Sequence, residues 1–255
     1  HLACISNDPS YDLNPILGRS INYSSFRPLV LAAKKADVKR FIFASSSSVY
    51  GIKNELEVCE DLSLEPLTDY SKYKVLCEKI LQEEREPGFV TCIVRPSTVC
   101  GYAPRQRLDV VVNILTNHAI NTGRIKVFGG TQKRPNIHIE DMSELYCFLL
   151  EQSDERVDGK IFNAGYENYT LIELAEIVKS VIGNDLKIDI EPTNDLRSYH
   201  VSSQKLKNEL GFEPKNSIEK AVQGLQKAFE DGRLPNSMED SKYFNIKKMQ
   251  EIKLA

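Results

Sequence analysis

Two short apolar runs limit what this chain can fold into. Phe41-Ile42-Phe43-Ala44 and Phe89-Val90-Thr91-Cys92-Ile93-Val94 are unbroken rather than alternating, the pattern of strands covered on both faces in a parallel sheet. Helical spacing surrounds them. Leu17, Ile21, Leu29, Val30 and Ala33 repeat at helical intervals over 14–36, with Pro28 inside the pattern as an expected kink. Asp69 is placed to cap a helix over 70–84 that stops before Pro87-Gly88. Further helical patterns fall at 108–121, 140–152, 171–182, 203–210 and 218–231, separated by apolar runs at 125–128, 160–163 and 186–190. Strands alternating with helices predict an α/β fold with a parallel sheet between helical layers. The residues from about Asp231 onward lose apolar density and take no assignment.

Composition narrows the function. The 255 residues are 41% apolar and 27% charged, enough for a sizeable core without metals or disulfides. A net charge of −3 offers no polycation for nucleic acid. No apolar run approaches the roughly 20 residues that span a membrane, and nothing reads as a secretion leader. The six cysteines form no CxxC pair and the four histidines are scattered, so no metal site is expected. Several cysteines sit among apolar neighbours, as Cys92 does, and read as reduced thiols of a cytoplasmic protein.

Two clusters carry chemistry. Tyr70-Ser71-Lys72-Tyr73-Lys74 is a YxxxK inside a predicted helix, which puts Tyr70 and Lys74 on one face. A cation beside the phenol would favour the phenolate and lower its pKa from about 10 toward neutrality, making Tyr70 an acid/base group. The serine run 45–48, closed by Val49-Tyr50-Gly51, follows directly on the Phe41–Ala44 strand. Ligands of open α/β sheets bind at such carboxyl ends of strands, where hydroxyls can hold a substrate oxygen. Taken alone, either pattern also fits a surface pair or a plain serine-rich turn.

In chain order the motifs resemble the extended short-chain dehydrogenase/reductase family, in its nucleotide-sugar epimerase and dehydratase branch. His1-Leu2-Ala3, Asn22, the serine run before Val49-Tyr50-Gly51, Tyr70/Lys74, Arg95-Pro96-Ser97-Thr98-Val99-Cys100-Gly101 and Arg134-Pro135-Asn136-Ile137-His138-Ile139-Glu140-Asp141 all match its pattern. So does Asp195-Leu196-Arg197-Ser198-Tyr199, followed by Leu210-Gly211-Phe212-Glu213-Pro214; Cys100 replaces the family's usual Tyr.

The resemblance implies a Rossmann-like doubly wound parallel sheet. Residues 1–100 would be the remainder of the NAD-binding domain, with 136–165 returning to it, and 101–255 mainly a smaller C-terminal α/β substrate domain. It implies Ser46, Tyr70 and Lys74 as catalytic residues, with Leu2, Ala3, Asn22, Pro96 and Val99 joining Tyr70 and Lys74 on the NAD side. Ser46, Arg107, Arg134, Arg197 and Tyr199 would hold a nucleotide-diphosphate sugar, the arginines meeting its phosphates; His138 reads as structural. The implied activity is NAD-dependent epimerisation at C4 through a transient keto-sugar, by a homodimer. A nucleotide-sugar 4-ketoreductase and a non-catalytic relative that binds nucleotide or a partner protein are the alternatives. The family's dehydratases carry Asp-Glu right after the catalytic hydroxyl residue. Ser47-Ser48 stand there in this chain, which disfavours dehydration. The family's GxxGxxG turn, its first three strands and its ribose-reading acid lie ahead of the HLA segment and are not among these 255 residues. These residues alone are therefore expected to hold NAD weakly and to leave an apolar edge uncovered.

Overall fold

The structure is a computed structural model that describes residues 1–193 and 200–254. Two short helices, α1 (Asp8–Asp12) and α2 (Pro15–Arg19), lead through a π-helical turn at Ser20–Ser24 into α3 (Phe26–Lys35). The 14–36 pattern is thus three pieces rather than one kinked helix. Pro28 falls in the first turn of α3, where a missing N–H costs nothing. Then come β1 (Arg40–Ala44), a 3-10 turn at Ser47–Tyr50, α4 (Asp69–Glu83), β2 (Val90–Pro96) and β3 (Thr98–Cys100). Next are α5 (Val111–Thr122), β4 (Arg124–Phe128), β5 (Lys133–His138), α6 (Ile139–Glu151), α7 (Asp154–Val157) and β6 (Lys160–Ala164). The chain continues through β7 (Glu167–Thr170), α8 (Leu171–Ile182), β8 (Lys187–Glu191), α9 (Gln204–Leu210), α10 (Ile218–Glu230) and α11 (Asn245–Glu251).

The two unbroken apolar runs are neighbours in a three-stranded parallel sheet of order β1-β2-β6, with Ile42 opposite Cys92 and Cys92 opposite Lys160. Side chains alternate between its faces. Phe41, Phe43 and Ile93 pack with Phe26 and Val30 of α3 and with Cys77, Ile80 and Leu81 of α4. Ile42, Cys92, Val94 and Phe162 meet Leu145 and Leu149 of α6 and Leu206 and Leu210 of α9 on the other side. Helices on both faces explain why these strands show no polar alternation.

A second core forms where α5, α8 and α10 close over the parallel pair β4-β8, around Leu115, Ile125, Leu174, Val178 and Val222. The sheet β3-β5-β7 lies between the two cores in sequence, β3 parallel and β7 antiparallel to β5. Its strands follow directly on the central ones: β3 begins two residues after β2 ends, and β7 three residues after β6. The carboxyl ends of β1, β2 and β6 therefore open toward the second unit.

Candidate active site

Each element that reaches this opening is fixed by local chemistry. Ser46, in extended backbone, caps the 3-10 turn by accepting from Ser48 N at 3.1 Å. Gly51 ends that turn at φ 71°, and a Cβ there would run into the Glu65 carbonyl. Gly51→Ala is expected to destabilise the protein by at least the ~1–2 kcal/mol of a left-handed L-residue, read as a lower urea midpoint; an unchanged midpoint would contradict this packing. Helix α4 is capped by Thr68, not Asp69. Thr68 Oγ1 accepts from Ser71 N at 3.2 Å, and Ser71 Oγ from Thr68 N at 3.1 Å, a reciprocal capping box. Asp69 stands in the first turn instead. That start sets the rotation of α4, which turns Tyr70, Lys74 and Glu78 inward.

Tyr70, Lys74 and Ser46 line one cavity of about 410 Å³ together with Pro96, Val99 and Arg107. Lys74 Nζ donates to the Ala44 carbonyl at 2.6 Å and lies 4.8 Å from the Phe43 ring centroid and 5.7 Å from that of Tyr70. Its ammonium is thereby tied to the end of β1. Burial pulls the Lys74 pKa below its ordinary value. For Tyr70 the expected direction is reversed. Burial pushes the phenol above 10, Cys4 and Asp8 add to this, and Ser46 and Arg107 beside it do not offset them. The chain by itself holds Tyr70 as a neutral acid, because a ring only 8% exposed loses more solvation than its neighbours return.

The remaining expected residues fall into three groups. Asn22 is buried but outside the cavity, its amide accepting from Ile5 N at 2.8 Å and donating to Ile5 O at 2.9 Å. It thereby fixes the strip that carries Cys4, Ser6 and Asp8 into the cavity wall. Leu2 and Ala3 are exposed beside that strip. Arg134, on β5, is half-buried and lines no part of this cavity. Arg197 and Tyr199 lie outside the described residues. His138 has the structural role expected of it: its Nδ1 accepts from Glu140 N at 3.1 Å and caps α6.

Sequence reasoning missed Cys4, Ser6, Asp8, Ser97, Arg105 and Gln106 in the cavity wall. Ser97 was visible inside the Arg95–Gly101 motif, and its hydroxyl is buried with no partner. Behind the wall stands a cluster that spacing alone did not reveal. Arg95 Nη2 donates to Glu78 Oε2 at 2.7 Å and Nε to Oε1 at 3.0 Å, while Nη1 donates to the Tyr50 hydroxyl at 2.7 Å. Ser45, next to Ser46, hydrogen-bonds Glu78, and Tyr50 donates to Asn163 Oδ1 at 2.7 Å. Burial pulls the guanidinium down, but Glu78 and Tyr50 outweigh it and hold Arg95 charged.

A buried phenol, a buried ammonium and a hydroxyl at a strand end, with no group of metal ligands among the described residues, can pass a proton to and from a bound alcohol. Residues 1–165 match the NAD dependent epimerase/dehydratase family. The chain belongs to this family. NAD is therefore its cofactor, and a Rossmann-like α/β fold its architecture. The UDP-glucose 4-epimerase of Lactobacillus helveticus is 27% identical over 237 residues, covering 85% of this chain and 71% of that protein. The mouse dTDP-D-glucose 4,6-dehydratase is 27% identical over 226 residues, 82% of this chain and 62% of that protein. A solved UDP-glucose 4-epimerase with UDP-glucose from Thermotoga maritima aligns with a TM-score of 0.81 at 26% identity, over 91% of this chain and 77% of that one. The nicotinamide end of NAD suits the cavity. Pro96, Val99 and Ile139 offer an apolar wall to a flat ring, and Lys74 and the unpartnered Ser97 hydroxyl offer donors to ribose oxygens. No helix is long and apolar enough to cross a membrane among the described residues.

Proposed function

We propose that this chain carries the proton-transfer and substrate-holding part of an NAD-dependent epimerase that inverts C4 of a nucleotide-diphosphate sugar. The observation that carries this reading is the meeting in one cavity of Tyr70 and Lys74 from α4 with Ser46 from the end of β1, where Ser46 is followed by Ser47 and Ser48 rather than by acids. The family's dehydratases carry Asp-Glu directly after this hydroxyl residue, and serines take those two places here. The acid in the cavity wall, Asp8, accepts a hydrogen bond from Thr68.

Tyr70, as the phenolate that a cationic neighbour favours, takes the proton of the C4 hydroxyl. It returns the proton to the same oxygen once the keto-sugar has turned over and presents the other face of C4 to the returning hydride. Ser46 hydrogen-bonds the same oxygen throughout. Lys74 keeps the phenol on the substrate side through its anchor on Ala44 and holds the ribose. NAD, when bound, supplies the hydride acceptor and donor together with a positively charged ring. Leu2, Ala3, Asn22, Pro96 and Val99 belong to the cofactor side, and Arg107, Arg134, Arg197 and Tyr199 to the diphosphate side. In this reading residues 1–100 and 136–165 form the cofactor-binding domain, and the rest of 101–255 closes over the sugar nucleotide. The protein acts as a homodimer in the cytoplasm, where six unpaired cysteines are at home.

The test is a product assay on UDP-glucose with purified protein and NAD. The reading expects UDP-galactose to accumulate to equilibrium with no net NADH. A 4-keto-6-deoxy product would replace C4 epimerisation by dehydration, and oxidation of one NADH per sugar when a UDP-4-keto-hexose and NADH are supplied instead would replace it by ketoreduction.

A further inference from the structure

The last turns of the chain reach the cavity through one asparagine. Arg107 Nε donates to Asp109 Oδ1 at 2.9 Å, and its Nη1 to Ser6 Oγ at 3.3 Å. Asn245, the first residue of α11, meets both of those acceptors from the far side. Its backbone N–H donates to Asp109 Oδ2 at 2.8 Å and its Nδ2 to Ser6 Oγ at 3.2 Å. Arg105 Nη2 donates to Asn245 Oδ1 at 3.1 Å. One residue upstream of Asp109, Leu108 is fully buried against Tyr243 and donates its N–H to the Tyr243 carbonyl at 2.9 Å. Four residues from three distant parts of the chain thus close a ring around the guanidinium.

One edge of that guanidinium is left over. Arg107 Nη2 is buried with no partner, and Arg105, Arg107 and Ser6 all line the catalytic cavity. A buried, unpaired N–H of a guanidinium is costly, so a native structure that keeps one asks for an acceptor. Asp109 cancels much of the charge but fixes the plane of the group, so what Arg107 offers is a directed donor. Phosphate oxygens match that geometry.

We infer that the C-terminal segment Tyr243–Asn245 is a positioning device, with Asn245, Ser6 and Asp109 seating Arg107 so that its free Nη2 meets a phosphoryl oxygen of the nucleotide diphosphate. This rests on the substrate class proposed above. Asn245 touches no substrate; it acts through Arg107. The segment from Asp231 onward, which lacks an apolar pattern, gains a role from this.

The test is a double-mutant cycle on the whole protein, with UDP as the probe in calorimetry and UDP-glucose in turnover. Arg107→Ala is expected to weaken UDP binding roughly 10- to 100-fold, the worth of a hydrogen bond to a charged group. Asn245→Ala is expected to give part of that loss, as a raised KM with kcat unchanged, and no further loss when added to Arg107→Ala. Ser6→Ala, which removes only the shared acceptor, should repeat the Asn245→Ala result even if that variant folds poorly. A kcat that falls with KM, or losses that multiply in the double variant, would overturn the seat. So would wild-type UDP affinity in Asn245→Ala and Ser6→Ala while Arg107→Ala binds poorly. Wild-type affinity in Arg107→Ala would instead remove the diphosphate role of Arg107 itself.

Discussion

Tyr70→Phe is expected to cut turnover by about 10²–10⁴-fold while UDP-sugar binding stays as in the wild type, since general acid–base transfer contributes about that factor. The substitution deletes one oxygen from a ring that is 8% exposed. The capping box at Thr68, the Lys74–Ala44 bond and the packing of α4 all remain. Steady-state kcat, compared with calorimetric affinity for UDP-glucose, separates the two effects. Undiminished turnover would remove Tyr70 from proton transfer. A parallel loss of binding would make it a structural residue. The sharp split is expected because the lost hydroxyl moves the proton, while the groups that hold the diphosphate are untouched. Burial raises this phenol above its ordinary pKa in the chain alone, where spacing beside Lys74 points to a lowered one.

That reversal also marks where sequence reading stops. Spacing alone put Tyr70 and Lys74 on one face of a helix, and α4 does present both inward. Spacing carries no information on burial, and burial decides the direction of the phenol's shift. The same division runs through the fold. Strands β1 and β2 were legible because both their faces are covered, which leaves an apolar run. Strands β3, β5 and β7 were not. They are short, β5 contains Pro135, every residue of β7 is half-buried, and each pairs with a partner distant in sequence. The cap of α4 was misplaced by one residue because Thr68 and Asp69 are both good capping types. Only the extended backbone at Thr68 and the return bond from Ser71 choose between them. Helix α11 was invisible because hydrogen bonds from Asn245 and the burial of Met249, not an apolar stripe, hold it in place.

The largest stability effects are expected at the ion pair behind the catalytic wall. Glu78 and Arg95 are both almost fully buried and make two hydrogen bonds to each other. Arg95→Met removes the cation and both hydrogen bonds that the Glu78 carboxylate shares with it, and Glu78→Leu strands the guanidinium. Each single change is expected to cost about 3–5 kcal/mol in urea unfolding, the usual price of an orphaned buried charge. The double change removes both charges at once and is expected to cost no more than either single change, a coupling of at least about 3–5 kcal/mol. Additive losses would show that the two residues act separately. The pair also has a place in the chemistry. Glu78 sits one turn beyond Lys74 on α4, Ser45 precedes Ser46, and Arg95 opens the motif that supplies Pro96 and Val99. Through Tyr50 and Asn163 the same network reaches the end of β6, where Asn163 Nδ2 donates to Val58 O at 3.0 Å and Ser202 O at 3.1 Å. A double variant that regains stability should therefore still turn over slowly, because a leucine–methionine contact fills the space without fixing Ser46 and Lys74 to each other. Wild-type kcat in that variant would reduce the pair to packing alone.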